Sequence, residues 1–320
     1  MRFYTHPPPC YGGIDLHARR LYVCILRHAG ALRLPRNMQA APEPCLQAVA
    51  PSRDGLGVAV EGLCPWYGLA ALCAAAAIPC VLGPARSMNA MHGGKATNDQ
   101  SDSPKIAALL RGGMLPQAYV YPAEMRATRE LLRRRTHLRR KRAELVAHVH
   151  NTNRPDNLPE IGKKIAYKAK RAGGAERFEE VAVPKPMEVD LDLITSAEQR
   201  LNALELFILK TAQQHEAQPL SLLQTVPGIG QILSLVWLYE MHQMDRLPRV
   251  QDFASSCRLG KCAKAAGGKR WGTSGNKRGN AHRTWAFSEA ATLFLRGHEP
   301  GQKYLARLEK KHAKGKALRS

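Results

Sequence analysis

Two apolar segments with a short polar connection make up residues 12–26, GGIDLHARRLYVCIL. This pattern is typical of a β-hairpin, and it places Asp15 at a strand end. Residues 58–61, VAVE, have the compact apolar character of a buried central strand, and that strand finishes on Glu61. The sequence therefore predicts an acidic residue at the end of each of two strands.

Further elements are expected around these strands. We predict a strand at residues 31–34, an Ala-rich helix after Pro65 and a short strand at residues 80–82. Antiparallel strands followed by alternating helices and strands are typical of an α/β domain with a mixed sheet. We assign this domain to residues 10–112.

Two more acids precede a predicted helix. A helix start is expected at SPKIAALL, residues 103–110, because proline suits a first helical turn and Asp or Ser commonly caps one. Asp99 and Asp102 are three residues apart and so face the same way. With Asp15 and Glu61 they would place four carboxylates around one point, where bound Mg²⁺ relieves their repulsion. Taken singly, such an acid is more often a helix cap or a turn residue.

The composition favours a polyanionic partner. The 48 Lys and Arg residues outnumber the 26 Asp and Glu residues, so the formal net charge is +22. Nucleic acid is the usual partner of so basic a chain. At 320 residues and 44% hydrophobic content, the chain is long enough to bury a sizeable core, which excludes a disordered basic tail.

The eight cysteines form no CxxC pair and favour reduced thiols in a cytosolic protein. Cys257, Cys262 and His282 are an alternative zinc set, although their spacing matches no common site. The N-terminus lacks the apolar core of a signal peptide, and the most apolar stretch, residues 69–82, is too short to span a membrane. No membrane partner is expected.

The middle of the chain, residues 113–220, is predicted to contain two long helices. Residues 123–150 lack Gly and Pro and are rich in Arg, with few acids, which favours phosphate contacts through Arg133, Arg134, Arg139 and Arg140. Residues 190–214 carry apolar or small residues at alternating three and four spacings, typical of a coiled-coil seam. These are Ile194, Ala197, Leu201, Leu204, Ile208 and Thr211. The seam could pack within the chain or against another subunit.

The remaining third, residues 221–320, contains two candidate nucleic-acid elements. VPGIG, residues 226–230, resembles the hairpin of a helix-hairpin-helix element, in which Gly228 and Gly230 would let backbone N–H groups hold a phosphate. Downstream, cations alternate with glycines in what we interpret as a loop that cradles a DNA strand, or else an unstructured basic loop. The candidate contacts there are Lys269, Arg270, Lys277 and Arg278.

Five segments resemble the transposases and site-specific recombinases of the bridge-RNA-guided insertion-sequence family, which also includes the pilin-gene invertases. They are GGIDLHARRLYVCIL at 12–26, VAVEG at 58–62, KATNDQSDSPKIAALLRGG at 95–113, NLPEIGKKIAYKAKR at 157–171 and TVPGIGQILSLVWLYEM at 225–241. The likeness covers nearly the whole chain. From the residues alone, the segment that includes residues 157–168 is either a basic nucleic-acid contact or a packed connector.

This resemblance implies an N-terminal domain with the ribonuclease-H-like fold of the RuvC Holliday-junction resolvases. It implies that the catalytic, Mg²⁺-binding acids of that domain, Asp-Glu-Asp-Asp, correspond here to Asp15, Glu61, Asp99 and Asp102. It also implies that the two central helices form a coiled coil linking the domains and supporting a homo-oligomer, a dimer or tetramer. The C-terminal domain is expected to be mainly helical.

The family places a nucleophilic serine just before a Gly-Lys pair, and the matching stretch here is KAAGGK, residues 264–269. Ala266 occupies the serine position, and a methyl group cannot attack phosphorus. Ser274 is nearby and would substitute only if the loop shifts. The family pattern also continues into a further helix beyond the point where this chain stops, so a truncated C-terminal domain is expected.

Three functions are carried forward from the sequence. The first is a transposase that moves an insertion sequence in the prokaryotic cytoplasm, acting on nucleoid DNA under the direction of a structured guide RNA. The second is a metal-dependent junction or flap nuclease in which water attacks and no serine is needed. The third is a degenerate copy that binds RNA or DNA without cutting it.

Overall fold

The computed structural model describes residues 3–4, 8–30, 32–62, 66–84, 88, 99–152, 184–212, 217–275 and 279–312. The chain forms two compact units, which we call the first unit, Met1–Val120, and the second unit, Tyr121–Ser320. The region that we assigned to residues 113–220 falls partly in each unit. The basic segment at residues 157–168 lies outside the described residues.

The first unit contains a five-stranded mixed sheet in the order β3-β2-β1-β4-β5. Strands β1, β2 and β3 pair antiparallel, whereas β1 with β4 and β4 with β5 pair parallel. The strands are β1 Cys10–Leu16, β2 Arg20–Arg27, β3 Leu32–Gln39, β4 Leu56–Glu61 and β5 Cys80–Gly83. The mixed sheet predicted from the sequence is confirmed.

Three helices cover the two faces of this sheet: α1 Pro42–Val49, α2 Trp66–Ala75 and α3 Asp99–Arg111. Successive strand residues point to opposite faces. Ile14 and Val58 therefore pack with residues of α1 and α2, whereas Tyr11 and Ala59 pack with Ile106 and its neighbours on α3. The first unit is thus a sheet between two helical layers.

Helix α3 begins earlier than the sequence predicted. It starts at Asp99 and contains Pro104 internally, although proline is best tolerated in the first turn because it has no N–H to donate. Packing of Ile106 and Leu110 on the sheet stabilises the helix, and such tertiary contacts override a local preference. As a result, Asp99 and Asp102 both lie within the helix and not before it.

The second unit is mainly helical, as predicted, and also contains a two-stranded hairpin. Its helices are α4 Ala123–Thr152, α5 Pro184–Ala212, α6 Ala217–Gln224, α7 Gln231–Met241, α8 Val250–Ser256, α9 Ala281–Gly297 and α10 Glu299–Glu309. The hairpin consists of β6 Lys261–Ala266 and β7 Lys269–Gly275. None of the described helices combines the length and the apolar character that a membrane span requires.

Helices α4 and α5 pack along each other and use the predicted seam within the chain. Ile194, Leu201 and Ile208 recur every seven residues on α5 and are all buried. Two cross-helix ion pairs flank the seam, Arg135 with Glu205 and Arg142 with Glu198, and the side chains of His148 and Asp190 are in hydrogen-bond contact beside them. The sequence left open whether the seam packs within the chain or against another subunit. In the described residues it packs within the chain.

The Gly- and Lys-rich segment is a β-hairpin and not the loop that we expected. Gly267 and Gly268 form its two-residue connection with φ angles of 56° and 75°. Positive φ at both central residues is the requirement of the turn that best fits the twist of a hairpin. A Gly-Gly pair between two extended segments supplies it without steric cost.

Candidate functional site

Asp15 and Glu61 lie side by side at one end of the first unit's sheet. Strands β1 and β4 are parallel neighbours, and Ile14 pairs with Val60, so the next residue of each strand is an acid. Residues two apart in a strand point to the same face of the sheet. Asp15 therefore shares a face with Gly13, and Glu61 shares the same face with Ala59. Helix α3 covers this face.

Gly13 allows α3 to approach β1 closely. A Cβ atom at this position would overlap the Ser103 carbonyl oxygen and lie 2.5 Å from the Ala107 nitrogen. Only a residue without a side chain permits this backbone contact. Since Asp102 directly precedes Ser103, the same contact brings Asp102 to the strand that carries Asp15.

The charges of the other two acids act on Glu61. Burial raises the pKa of Glu61 above its ordinary value, the charges of Asp15 and Asp102 raise it further, and His17 opposes them. Glu61 has no hydrogen bond or ion pair with any described side chain. Its carboxylate therefore lies close to two like charges, and no cation among the described side chains pairs with it directly.

The other two acids have nearby basic groups. Asp15 is 4% exposed, and its Oδ2 lies 3.3 Å from Nε2 of the exposed His17. Asp102 Oδ1 accepts a hydrogen bond of 2.9 Å from Lys105 Nζ on the next turn of α3. These contacts orient both carboxylates, and neither basic group hydrogen-bonds Glu61.

The donor set suits a hard cation such as Mg²⁺, because every donor is a carboxylate oxygen. Within the described ranges, no three His, Cys, Asp or Glu side chains are close enough to hold a metal ion together. The side chain of Asp99 lies outside the described residues, so of the four proposed magnesium ligands this finding covers Asp15, Glu61 and Asp102.

Of the alternative zinc set, the same finding covers Cys257 and His282, whereas the Cys262 side chain is not described.

The arginines of α4 divide into paired and exposed groups. Arg129 and Arg133 form ion pairs with Glu240, at 3.0 and 2.7 Å. The low number of acids on α4 itself is therefore offset by acids on other helices, more than 100 residues away in the case of Glu240. The candidate contacts Arg134, Arg139 and Arg140 are exposed and pair with no acid among the described residues.

Glu240 is the centre of a buried polar cluster that the sequence analysis missed. Its carboxylate is 2% exposed and also accepts a hydrogen bond from Asn280 Nδ2. Its backbone carbonyl accepts hydrogen bonds from the Tyr121 hydroxyl and from Arg283 Nε. The arginine contacts lower the pKa of Glu240 despite its burial.

A sequence signal for this cluster exists. Glu240 is the only charged residue of α7, an otherwise apolar helix whose residues are mostly buried. A buried acid requires paired cations, so this position predicts basic partners without identifying them. Burial and the charges of Arg133 and Arg140 lower the pKa of the neighbouring His282, although Glu240 acts in the opposite direction.

The two candidate glycines of the VPGIG turn have different surroundings. Gly228 has a φ of 88°, and a Cβ there would lie 2.5 Å from the Phe294 nitrogen of α9. Its lack of a side chain thus serves packing inside the protein. Gly230 precedes α7 with no atom within 4 Å of its Cβ position and no side-chain cap, so it leaves the start of that helix accessible.

The hairpin separates Ala266 from Ser274. Ala266 is the last residue of β6 and pairs with Lys269, whereas Ser274 pairs with Cys262. Four strand residues, or about 13 Å at ~3.3 Å each, therefore separate the two positions. Substitution of one for the other would require the hairpin to rearrange.

The remaining candidate contacts in this segment are only partly described. Lys269 is exposed on the hairpin. The backbone of Arg270 is described and its side chain is not, whereas Lys277 and Arg278 lie outside the described residues.

One comparison with known proteins bears on this part of the chain. Residues 220–306 match the family model described as Transposase IS116/IS110/IS902 family. The matched range runs from α6 into α10 and includes the hairpin. No curated protein matches the chain. The match supports a transposase or recombinase of insertion sequences, an enzyme that acts on DNA, and it does not extend to the first unit.

Proposed function

We propose that this protein is a transposase of an insertion sequence that cleaves and rejoins DNA with Mg²⁺ held by Asp15, Glu61, Asp99 and Asp102. The observation that carries the proposal is that Asp15 and Glu61 lie on neighbouring parallel strands, with Asp102 next to the close helix contact at Gly13. The pKa of Glu61, raised by burial and by the charges of Asp15 and Asp102, agrees with it. Acidic side chains held close together repel one another and destabilise the fold, and a bound cation removes that repulsion. The family match at residues 220–306 gives the DNA-acting context.

The bound Mg²⁺ would polarise a phosphodiester and neutralise the charge that develops on it. The residues of the chain have separate tasks. Asp15, almost fully buried, supplies a carboxylate of fixed position, and Glu61 supplies a carboxylate whose charged form is disfavoured by burial and by its acidic neighbours. Lys105 orients Asp102 through their hydrogen bond. Asp99, one helical turn before, completes the set.

The cationic surface would hold the substrate. The exposed Arg134, Arg139 and Arg140 on α4 and Lys269 on the hairpin are free of acidic partners among the described residues, so each is available to phosphate. We further propose that a structured RNA guides target choice, that the protein works as a homo-oligomer, and that it acts on nucleoid DNA in a prokaryotic cytoplasm. These three points follow from the resemblance alone.

Ala266 limits the chemistry of this copy. Without a hydroxyl at that position the chain forms no phosphoserine link there, and Ser274 lies about four strand residues, ~13 Å, away. This observation favours a second candidate function, Mg²⁺-dependent hydrolysis of DNA junctions or flaps by water. A third outcome is a nucleic-acid-binding protein without cleavage.

One assay separates these functions. The purified full-length protein is incubated with Mg²⁺, the ends of the element and its noncoding RNA, and the products are separated under denaturing conditions. Protein–DNA adducts support the recombinase, free cut ends support the hydrolytic nuclease, and intact DNA supports the binding protein. The Ala266→Ser variant should create or strongly increase adducts, and Ser274→Ala is its matched control. An unchanged adduct level in Ala266→Ser would contradict the assignment of position 266.

The metal site has its own test. Asp102→Asn removes a charge without changing shape, so it should abolish Mg²⁺-dependent cleavage and leave DNA binding largely intact. Asp54→Asn, an exposed acid of the same unit, is the control. A cleavage rate that is unaffected by Asp102→Asn would exclude Asp102 from the metal site.

A further inference from the structure

Two neutral polar side chains continue the line of acids across the first unit's sheet. Asp15 pairs with Tyr22 of β2, and Tyr22 pairs with Asn37 of β3. Directly paired residues of antiparallel strands point to the same face, so both side chains lie on the face that carries Asp15 and Glu61. In strand order, the residues of this row are Asn37, Tyr22, Asp15 and Glu61.

The row lies near the start of helix α3. The helix meets β1 at Gly13 and packs on Tyr11, nearer the beginning of that strand. The row is two residues, or ~6.6 Å, from Gly13 in the other direction. There Tyr22 is only partly buried, and Asn37 is exposed. Both side chains are thus accessible to a ligand beside the proposed metal site.

A hydrogen bond between the two side chains determines which of their groups remain for a ligand. Asn37 Nδ2 donates to the Tyr22 hydroxyl oxygen at 2.9 Å. The hydroxyl hydrogen and the second amide hydrogen remain as donors. Neither side chain has another hydrogen bond or ion pair in the part of the chain that the structure describes. The pair therefore offers two neutral donors, which suit an acceptor with more than one oxygen.

A phosphate of a nucleic-acid strand is such an acceptor, and tyrosine and asparagine side chains are among its usual donors. Neighbouring strands of a sheet lie about 4.8 Å apart, so Tyr22 is one such step and Asn37 two steps from Asp15. Two steps correspond to roughly three nucleotides at ~3.4 Å of helix axis each. A DNA strand with one phosphate at the acids therefore has its next phosphates within the length of the row.

We propose that Tyr22 and Asn37 bind a phosphate of the DNA strand that enters the acidic site, within about three nucleotides of the phosphate at the acids. Tyr22 donates its hydroxyl hydrogen to a phosphate oxygen, and Asn37 orients that hydroxyl. This inference rests on the proposed function for the position of the DNA. It adds a substrate contact in the first unit that uses no cation.

The test measures binding of DNA from the element ends by the full-length protein, with Ca²⁺ in place of Mg²⁺. Tyr22→Phe removes the hydroxyl and keeps the ring, so the affinity should fall about 10- to 100-fold, the value of one hydrogen bond to a charged group. Asn37→Ala should also weaken binding, and it should add little to Tyr22→Phe because it acts mainly through the hydroxyl.

Tyr11→Phe is the matched control. It removes another hydrogen-bonded hydroxyl from the same face of the sheet, but Tyr11 is fully buried and its partner is His28. The affinity for DNA should not change. Thermal unfolding of each variant checks that the fold is retained.

Methylphosphonate DNA identifies the contacted phosphate. Each oligonucleotide carries one uncharged methylphosphonate in place of one phosphate. At the contacted position this change should weaken binding by the unmodified protein more than binding by Tyr22→Phe, whereas at other positions the two proteins should lose equally. The slope of log affinity against log salt should be the same for both proteins, because a neutral donor releases no counterions.

Each outcome decides the proposal. An unchanged affinity in Tyr22→Phe overturns it, as does a loss that no phosphate position accounts for, or a loss equalled by Tyr11→Phe. Binding of the element's noncoding RNA is measured in parallel, and a loss confined to RNA also overturns it. Because binding is measured, a negative result leaves the metal-site proposal intact, and an absence of cleavage leaves a positive result intact.

Discussion

Glu61 in the first unit and Glu240 in the second are glutamates in opposite surroundings. Glu240 is buried and accepts hydrogen bonds or ion pairs from Arg129, Arg133 and Asn280, which lower its pKa. Glu61 is partly buried beside Asp15 and Asp102, and its pKa is raised. Both side chains lose water contact on folding, yet among the described residues only Glu240 is paired with cations.

The difference indicates which acid is structural and which is available for a ligand. A buried carboxylate with a complete set of donors has no capacity left for a metal ion. A carboxylate that burial and like charges both disfavour gains most from a cation. The two units therefore allow the metal-site proposal to be tested against an internal reference.

The largest expected effect is that of Glu240→Gln. Removing the charge of this buried acid leaves the partly buried Arg129 and Arg133 without their counterion, so the free energy of unfolding should fall by about 3–5 kcal/mol. Denaturant unfolding of the whole protein measures it. Glu309→Gln, an exposed acid on α10, should change stability by less than about 0.5 kcal/mol. If both variants behave alike, Glu240 is not the structural acid of the pair.

Glu240 should stabilise the folded protein at neutral pH and lose this effect in acid. Its pKa is lowered on folding, so its contribution to stability is present above the ordinary glutamate pKa of about 4.3 and is lost as the pH falls through the lowered value. The difference in stability between the protein and Glu240→Gln should therefore shrink on acidification.

The next effect concerns the glycine that brings Asp102 to the sheet. Gly13→Ala forces a methyl group into the backbone of α3, so stability should fall by about 3 kcal/mol, near the upper end for overpacking. Gly68→Ala is a matched control in α2, where nothing lies within 4 Å of the added carbon. It should raise stability by about 0.5–1 kcal/mol through helix propensity. Thermal unfolding distinguishes the two signs.

A smaller effect on the free energy of unfolding is expected when Mg²⁺ binds at Glu61 and its neighbouring acids. At ten times its Kd, Mg²⁺ should raise the unfolding free energy by about 1.4 kcal/mol. Glu61→Gln should remove this increase. Without Mg²⁺ at neutral pH the variant should be more stable than the unmodified protein, because a raised pKa means that the charged form destabilises the fold.

Acidification should erase the advantage of Glu61→Gln. The raised pKa makes the protonated form the favoured one in the folded protein, so the penalty is absent below pH 4.3 or so and appears as the pH rises through the folded value. Stability curves of the two proteins that run parallel across this window would contradict the unpaired state of Glu61.

The smallest effect concerns the exposed cations of α4, the helix that also supplies both arginine partners of Glu240. Arg139→Gln should reduce the slope of log affinity for duplex DNA against log salt by about 0.9, the loss of one phosphate contact. Lys141→Gln is the control on the same helix, because Lys141 is already paired with Glu144 at 2.7 Å. A larger slope change in Lys141→Gln would indicate that pairing does not decide which cations contact DNA.

Local patterns predicted much of the first unit. The alternation around Asp15 and the apolar strand before Glu61 are short-range features, and both strands formed as expected. The start of α3 was wrong because packing on the sheet, which is not local, outweighs the preference of Pro104 for a first turn. That β1 lies beside β4 is a property of the sheet order, and it is this order that places the first two acids together.

Non-local contacts account for what the sequence did not predict. Arg133 and Glu240 are 107 residues apart, and nothing near either residue identifies its partner. The hairpin is a different case, since the Gly267-Gly268 pair is a local turn signal. It was interpreted as part of a loop because cations and glycines dominate the segment.

The Glu240 cluster also has a consequence for the order of events during protein synthesis. Arg129 leaves the ribosome 111 residues before Glu240, an interval of roughly 6–22 s at ~5–20 residues per second. Asn280 follows a further 40 residues later. Until Glu240 has been translated, Arg129 and Arg133 lack the acid with which they pair in the folded protein, whereas Arg135 and Arg142 already have theirs on α5. The Glu240 cluster is therefore among the last parts of the second unit that can form as the chain is made.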